Sequence, residues 1–178
     1  MGGETDRSTK AGDAEALDAA VAEFRQHGFV GTSVQRLVEA TGRSRSSLYG
    51  RFGGKDGVFV AALERYLDTM YPIGEGETTT AQLRMSLDGL GQGDTYSPCL
   101  LVRSCAELAD LPPAAQRLVT GALEKQWNAM IDSPTVQGET DKGTLALAVR
   151  HGLATLAAAG VPDDLLHNAI DALTPTRR

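Results

Sequence analysis

The sequence has few of the residues on which enzymes and secreted proteins depend. In 178 residues it has two cysteines, three histidines and one tryptophan, and aromatic side chains make up 5% of the chain. Two cysteines are too few for a disulfide framework, and their spacing is not that of a metal site. The histidines are scattered and belong to no catalytic, metal-binding or dinucleotide motif. We therefore expect a protein that is not an enzyme and holds no cofactor or metal.

Long apolar runs are also missing from the sequence. No run approaches the ~18 residues that a membrane span requires. The N-terminal residues, MGGETDRSTKAGDAEA, contain no apolar segment of the kind that a signal peptide needs. The chain is long enough to bury the core of one large domain or two small ones. These features predict a cytoplasmic protein.

Positive charge is scarce overall, but it is concentrated in one region. The net charge is −6, yet residues 31–55 contain five basic residues and one acidic residue. From residue 67 to the end, fourteen acidic residues outnumber eight basic ones. A protein that binds polyanions without orientation would be basic throughout. The observed distribution indicates one basic face on an acidic body, which suits contact with DNA from one side.

Apolar residues recur at helical spacing along most of the chain, which predicts an all-α fold of about nine helices. We expect an arm without regular structure at 1–12, a three-helix domain at 13–54, and a second helical domain at 55–178 that the fourth helix connects to the first. The loops between the longer helices are expected at 71–80 and 132–142. The predicted helices span 13–27, 33–41, 45–52, 55–70, 80–90, 97–111, 114–131, 143–159 and 163–173.

Residues 32–55, TSVQRLVEATGRSRSSLYGRFGGK, carry the clearest local signals. Thr32 and Gln35 have the spacing of a capping box, and Gly42 fits the end of the short helix that follows. Ser44 can cap the next helix, which buries only Leu48 and Phe52. Its remaining face is arginine, serine, tyrosine and glycine. Such a face suits a phosphate-lined groove, because these side chains bond to phosphates or base edges and glycine permits close approach.

Many positions at fixed spacing resemble the Tet-repressor (TetR/AcrR) family of bacterial transcription regulators over about residues 14–66. The sequence departs from the usual pattern at Arg43, Gly50 and Gly53-Gly54. A second segment, SPCLLVRSCAELADL, resembles a stretch that contains a cysteine in many members of the family. The matching positions are Phe24, Gly28-Phe29, Thr32-Ser33-Val34, Ala40 and Gly42, Ser44, Leu48-Tyr49, Phe52 and Lys55-Asp56.

The resemblance implies an N-terminal helix-turn-helix domain that binds a near-palindromic operator, with repression as the default effect. Arg45 and Ser46 are expected at base edges, and Thr32, Ser33, Tyr49 and Lys55 at phosphates. The full set of expected DNA contacts is Thr32, Ser33, Arg43, Ser44, Arg45, Ser46, Ser47, Tyr49 and Lys55.

The eighth predicted helix has apolar residues around more of its circumference than one core face needs. We expect this surplus surface to form a four-helix dimer interface with the ninth helix and a second copy, as the family resemblance implies. The alternative is a buried helix pair within one chain. The expected interface residues are Leu145, Val149, Gly152, Leu153, Leu156, Leu166, Ile170 and Leu173.

The second domain is expected to bind a small apolar or amphipathic effector that releases DNA, because it contains many large, adaptable or half-polar side chains. Trp127 can serve either as core or as a cavity wall. The alternative is an all-helical protein-interaction or redox-sensing domain, with Cys99 and Cys105, that has no small-molecule inducer. The expected pocket residues are Tyr66, Met70, Met85, Leu87, Tyr96, Leu101, Cys105, Leu123, Trp127 and Met130.

Overall fold

The computed structural model describes residues 3–70, 77–92, 95–136 and 138–173. Within these ranges it describes the side chains of all residues except 3–11, 70, 92, 95 and 96. The chain forms two compact units, of which the first comprises residues 1–69 and 103–119. The second unit comprises residues 70–102 and 120–178.

The described part of the chain contains nine α-helices, which confirms the predicted all-α class. The third and fourth helices begin and end at the residues that the sequence predicted. The helices are α1 (Gly3–Gly31), α2 (Val34–Thr41), α3 (Arg45–Phe52), α4 (Lys55–Met70), α5 (Thr79–Asp88), α6 (Leu100–Ala106), α7 (Pro113–Ile131), α8 (Thr140–Ala158) and α9 (Asp163–Ala172). None of them is long and apolar enough to cross a bilayer.

Several local features differ from the sequence-based expectation. Helix α1 begins at Gly3, where an arm without regular structure was expected, and it has a bend at Gly28. The helix expected at 97–111 is shorter, because the chain tightens into a 3-10 turn at Leu108–Asp110. Two-residue strands, β1 (Gly91–Gln92) and β2 (Thr95–Tyr96), pair antiparallel between α5 and α6. Residues 71–76 of the loop expected at 71–80 lie outside the described residues.

The first unit is built around three phenylalanines. The Phe24 and Phe59 rings pack edge to face with centroids 4.8 Å apart, and Phe29 lies 4.9 Å from Phe59. Phe59 belongs to α4, so most of α4 is part of the first unit rather than of a second domain beginning at residue 55. Arg65 of α4 also donates a bidentate hydrogen bond to the Asp18 carboxylate of α1, at 2.6 and 2.7 Å. This contact lowers the pKa of the Asp18 carboxyl.

The second unit has its own apolar core. Leu83 and Leu87 of α5 pack with Met130 of α7 and with residues of α8 and α9. The start of α5 is joined to the loop after α7 by hydroxyl groups, because Thr79 Oγ1 lies 3.1 Å from Ser133 Oγ. The buried members from the last two helices are Ala146, Leu153, Ala157, Leu166 and Ile170.

Candidate nucleic-acid interface

Helices α2 and α3 are short and are fixed by side-chain caps at their first turns. The Ser33 hydroxyl accepts a hydrogen bond from the Arg36 amide at 3.2 Å. The Ser44 hydroxyl accepts one from the Ser47 amide at 3.1 Å. Between the helices, Gly42 has φ 64°, a left-handed conformation that glycine adopts without steric cost. The tight connection between α2 and α3 is therefore specified locally by this sequence.

The predicted capping box at Thr32 and Gln35 is wrong. Thr32 is 1% exposed, and its hydroxyl donates to the carbonyl of Gly28 at 2.6 Å. The Gln35 side chain instead donates to Glu39 Oε1 at 2.8 Å. Ser33 takes the cap position because the bend of α1 turns Thr32 inward. Thr32, which was expected to contact a phosphate, is therefore not exposed on this surface.

Helix α3 buries Leu48, half-buries Phe52 and exposes its other side chains. Leu48 is buried, while Arg45, Ser46 and Ser47 are exposed and Tyr49 is 50% exposed. The Ser44 and Ser46 hydroxyls lie 3.0 Å apart. An arginine, two hydroxyls and a phenol on one exposed helix are suitable donors for phosphate oxygens and for the acceptors of guanine and adenine in the major groove.

Two arginines beside this helix are tied to an acidic side chain that sequence reasoning missed. Asp13 of α1 forms salt bridges with Arg43, at 3.5 Å from Nη2, and with Arg51. Asp13 is largely buried, whereas Arg51 is half exposed. The carboxylate thus orients both guanidinium groups and offsets part of their charge. Arg43, expected to contact DNA directly, is half-buried and already has this partner.

Lys55 lies at the first position of α4, beside the end of α3. Its Nζ lies 4.2 Å from the centroid of the Phe29 ring, a cation–π contact. Glycines at 53 and 54, both with positive φ, make the sharp turn that brings α4 back. Lys55 therefore has a defined position next to the polar face of α3.

The capped helix pair, the tight turn and the exposed polar face of the second helix define a helix-turn-helix protein. Residues 16–62 match the family model described as bacterial regulatory proteins, tetR family. Over these residues the chain is similar to the tetR family of bacterial regulatory proteins.

One curated relative and two solved structures illustrate the likeness. The HTH-type transcriptional repressor ComR of Escherichia coli is 51% identical over an alignment of 104 residues, with coverage of 53% of this chain and 50% of ComR. The chain thus spans about half the length of that relative. The crystal structure of the reduced form of E. coli NemR has a TM-score of 0.70 and 22% identity, covering 90% of this chain and 94% of NemR.

The second structure is a cysteine mutant of the TetR family transcriptional regulator CifR complexed with 26 bp double-strand operator DNA. Its TM-score is 0.64 at 22% identity, with coverage of 89% of this chain and 92% of CifR. At this identity the likeness establishes the fold. The helical architecture of the described residues is therefore that of TetR-family regulators along nearly its whole length.

The second unit contains a small cavity of about 10 Å³. That volume is close to the space of one water molecule. Gln126 and Arg150 are buried in its wall, and His151 Nε2 lies 3.0 Å from Gln126 Oε1. Burial lowers the pKa of His151 to about 4, and the neighbouring Arg150 charge acts in the same direction. Its lining residues are Leu83, Ser86, Leu87, Leu90, Cys99, Val102, Gln126, Arg150, His151, Leu153 and Ala154.

This lining differs from the predicted pocket. Leu87 lines the cavity, Met130 lies in the core of the second unit, and Met85 is exposed on α5. Trp127 is half-buried and donates through Nε1 to Thr144 Oγ1 at 3.1 Å. The other predicted residues fall into three groups: Tyr66 and Cys105 in the first unit, Leu101 and Leu123 in the second unit, and Met70 and Tyr96 with side chains outside the described set.

The predicted dimer residues divide into two sets. Leu153, Leu166 and Ile170 are buried within the second unit, so these three do not form an exposed face in the single chain. The others are at least partly exposed, and Leu145 has the largest exposed fraction among them, 61%. A groove of about 530 Å³ adjoins this surface, with Leu145, Val149 and Leu173 in its wall. The accessible set is Leu145, Val149, Gly152, Leu156 and Leu173, to which the structure adds Leu165.

Within the described residues, neither Cys99 nor Cys105 forms a disulfide bond. Cys99 is buried and Cys105 is half-buried. Because the reactivity of a thiol requires access and a thiolate-stabilising environment, the burial of Cys99 does not favour the redox-sensing alternative.

Proposed function

We propose that the protein is a sequence-specific DNA-binding transcriptional regulator that acts as a repressor. It binds a near-palindromic operator as a homodimer in the cytoplasm, and a small amphipathic effector releases it. Repression is proposed by likeness to ComR, which is named as a transcriptional repressor. Two features support the proposal: the helix-turn-helix geometry of the first unit, and a second helical unit that has a small cavity with some polar lining residues and an exposed apolar face.

The observation that carries the DNA-binding proposal is the exposed face of α3. Arg45 has no side-chain partner among the described residues and extends from the first turn, where a recognition helix meets base edges. We assign Arg45 and Ser46 to base edges. We assign Ser33, Tyr49 and Lys55 to phosphates. Ser44 and Ser47 keep the cap of α3 in place, and Arg43 contributes charge while it is held by Asp13.

Selection of binding sites from random double-stranded DNA tests this assignment. The full-length protein should enrich one near-palindromic sequence, and Arg45→Ala should cost about 1–3 kcal/mol and relax one base position in each half-site. Arg84→Ala is the matched control, because Arg84 pairs with Asp171 in the second unit. Enrichment of an unchanged sequence by Arg45→Ala would show that another residue reads the bases.

The dimer proposal depends on α8. Leu145, Gly152 and Leu156 lie at intervals of seven and four residues along one face of that helix and are exposed. Gly152 has no atom within 4 Å of the position that a Cβ would occupy. An exposed apolar stripe with a small residue at its middle suits close packing against the same helix of a second copy. We assign the adjoining groove to the same interface.

The effector proposal depends on the composition of the cavity. Among its lining residues, Arg150, His151 and Gln126 can donate hydrogen bonds, and none is acidic. A cavity of one-water size must open to admit a ligand, so binding selects a less populated arrangement. We therefore expect an amphipathic molecule with an anionic end. Octanoate, compared with octylamine, should change Trp127 fluorescence and lower operator affinity; a response to the amine alone would contradict this assignment.

A further inference from the structure

A partly buried bend near the end of α1 is fixed by a side chain of the first unit that is distant in the sequence. Glu107 follows α6 and precedes the 3-10 turn, 78 residues after Phe29. Its Oε2 accepts hydrogen bonds from the amide of Phe29 at 2.6 Å and from the amide of Val30 at 3.3 Å. Two consecutive backbone donors that converge on one carboxylate oxygen form a small anion-binding nest.

Gly28 makes this arrangement possible. Its φ of 72° and ψ of 179° interrupt the helical conformation and turn the next amides toward Glu107. A Cβ at this position would lie 2.1 Å from Oε1 of Glu107, closer than any two such atoms can approach. The glycine therefore serves both the backbone conformation and the space for the carboxylate.

The bend also determines the positions of groups beside the DNA-facing surface. The carbonyl of Gly28 accepts the hydroxyl proton of Thr32, the residue directly before the Ser33 cap of α2. The ring of Phe29 supports the ammonium group of Lys55 at 4.2 Å. The same few residues thus fix both the entry of α2 and the position of one proposed phosphate contact.

We infer that Glu107 is a positioning residue for DNA binding: its carboxylate, held by the Phe29 and Val30 amides, keeps the α1–α2 bend in the shape that places α2 and Lys55. This inference rests on the proposed DNA-binding function. Glu107 does not need to touch DNA in this role. It acts through the backbone of the bend, and its charge is matched to amide donors rather than to a basic side chain.

The test compares Glu107→Gln and Glu107→Ala in the full-length protein with Asp110→Asn. Asp110 is exposed in the adjacent 3-10 turn, so its substitution removes the same charge from the same segment without affecting the bend. We expect Glu107→Ala to lower operator affinity about tenfold, Glu107→Gln to lower it less, and Asp110→Asn to leave it unchanged. Amide resonances of Phe29 and Val30 should shift in the two Glu107 variants and keep their wild-type positions in Asp110→Asn.

A double-mutant cycle separates positioning from general stability. Gly28→Ala pushes the carboxylate out of the same nest, so Glu107→Ala should weaken DNA binding much less in the Gly28→Ala background than in the wild type. Loss of the Lys55 contribution to the salt dependence of binding in Glu107→Ala would support the same mechanism. Wild-type affinity and salt dependence in folded Glu107→Ala, even with a lower melting temperature, would overturn it.

Failure of the inference and failure of the proposed function give different results. If the wild-type protein enriches no sequence from random DNA, then the proposed function fails. If the wild-type protein enriches an operator that folded Glu107→Ala binds equally well, then only the role of Glu107 fails. Thermal unfolding of each variant establishes which proteins are folded at the temperature of the binding assay.

Discussion

Helices α3 and α8 leave opposite kinds of surface unpaired. Helix α3 buries Leu48 and exposes an arginine, two serines and a tyrosine. Helix α8 buries several residues, including Leu153, but also exposes Leu145 and Leu156. Because the first surface is rich in donors and the second is apolar, the first suits a charged polymer and the second suits another protein surface. The exposed residues of each helix therefore indicate what kind of molecule it binds better than its buried residues do.

The largest expected effect comes from placing a charge on the exposed face of α8. Leu156→Glu should give a monomer, because a second copy would have to bury a carboxylate without a partner. Loss of simultaneous binding to two half-sites should then lower operator affinity about 100-fold to 10,000-fold. Light scattering and operator titration measure the two effects.

Met85→Glu is the matched control for that variant. Met85 is 47% exposed on α5, so it receives the same charge at a similarly exposed apolar position away from α8. We expect this variant to remain dimeric. A dimeric Leu156→Glu protein with normal DNA affinity would show that the exposed face of α8 has another role.

Two neighbouring leucines on α9 separate core from interface. Leu166 is buried and Leu165 is 55% exposed. Leu166→Ala should lower the free energy of unfolding by about 2–5 kcal/mol, since it removes packing in the core of the second unit. Leu165→Ala should change unfolding by about 0.5 kcal/mol or less at a concentration where both proteins are monomers. Equal losses in urea titrations would mean that the two side chains are equivalent.

The free energy of unfolding should depend on pH through His151, which lines the cavity of the second unit. The folded-state pKa of His151 is lowered to about 4, so the neutral imidazole contributes stability that is complete above about pH 6.5 and is lost as the pH falls toward 4. The full difference in pKa corresponds to a loss of about 3 kcal/mol in the free energy of unfolding on acidification. Because the ring is partly exposed, we expect a loss of about 2 kcal/mol.

The measurement is the difference in unfolding free energy between wild type and His151→Gln across this pH range. Glutamine does not titrate, so the variant should lose less stability on acidification. Parallel curves for the two proteins would show that the pKa of His151 is the same in the folded and unfolded states.

The smallest expected effect concerns Lys55. Lys55→Ala should weaken binding about equally on all DNA sequences and reduce the slope of log affinity against log salt by about one unit. Lys125→Ala is the control, because Lys125 is exposed on α7. A change in the preferred sequence instead of the salt slope would assign Lys55 to base reading.

Local signals in the sequence were sufficient for the helix-turn-helix. The bounds of α3 and α4 were predicted correctly because serine and glycine punctuate that stretch and because apolar residues keep helical spacing. The same signals misplaced the cap of α2 by one residue. Thr32 and Ser33 are both good caps, and only the tertiary bend at Gly28 turns Thr32 inward.

Long-range polar contacts were beyond the reach of sequence patterns. Asp13 contacts arginines 30 and 38 residues away, and Glu107 accepts hydrogen bonds from backbone amides 78 and 77 residues away. Neither contact leaves a periodic pattern in the sequence. Asp13 is a single charged residue, and the partner of Glu107 is the main chain, which has no residue type of its own. A cavity in the second domain was predicted, but most of its lining was not, since Gln126 and Arg150 are polar and their residue types are mostly found at the surface.

The sparse burial of α3 also has a consequence for how such a protein can change over evolutionary time. Leu48 is the one fully buried residue of this helix and Phe52 is half-buried, so replacement of the exposed Arg45, Ser46 or Tyr49 should leave the fold intact. A lineage can therefore acquire a new operator by a few substitutions on one helix, without compensating changes elsewhere. Because few residues of α3 are buried, this helix is also a practical site for retargeting the protein to a DNA sequence of choice.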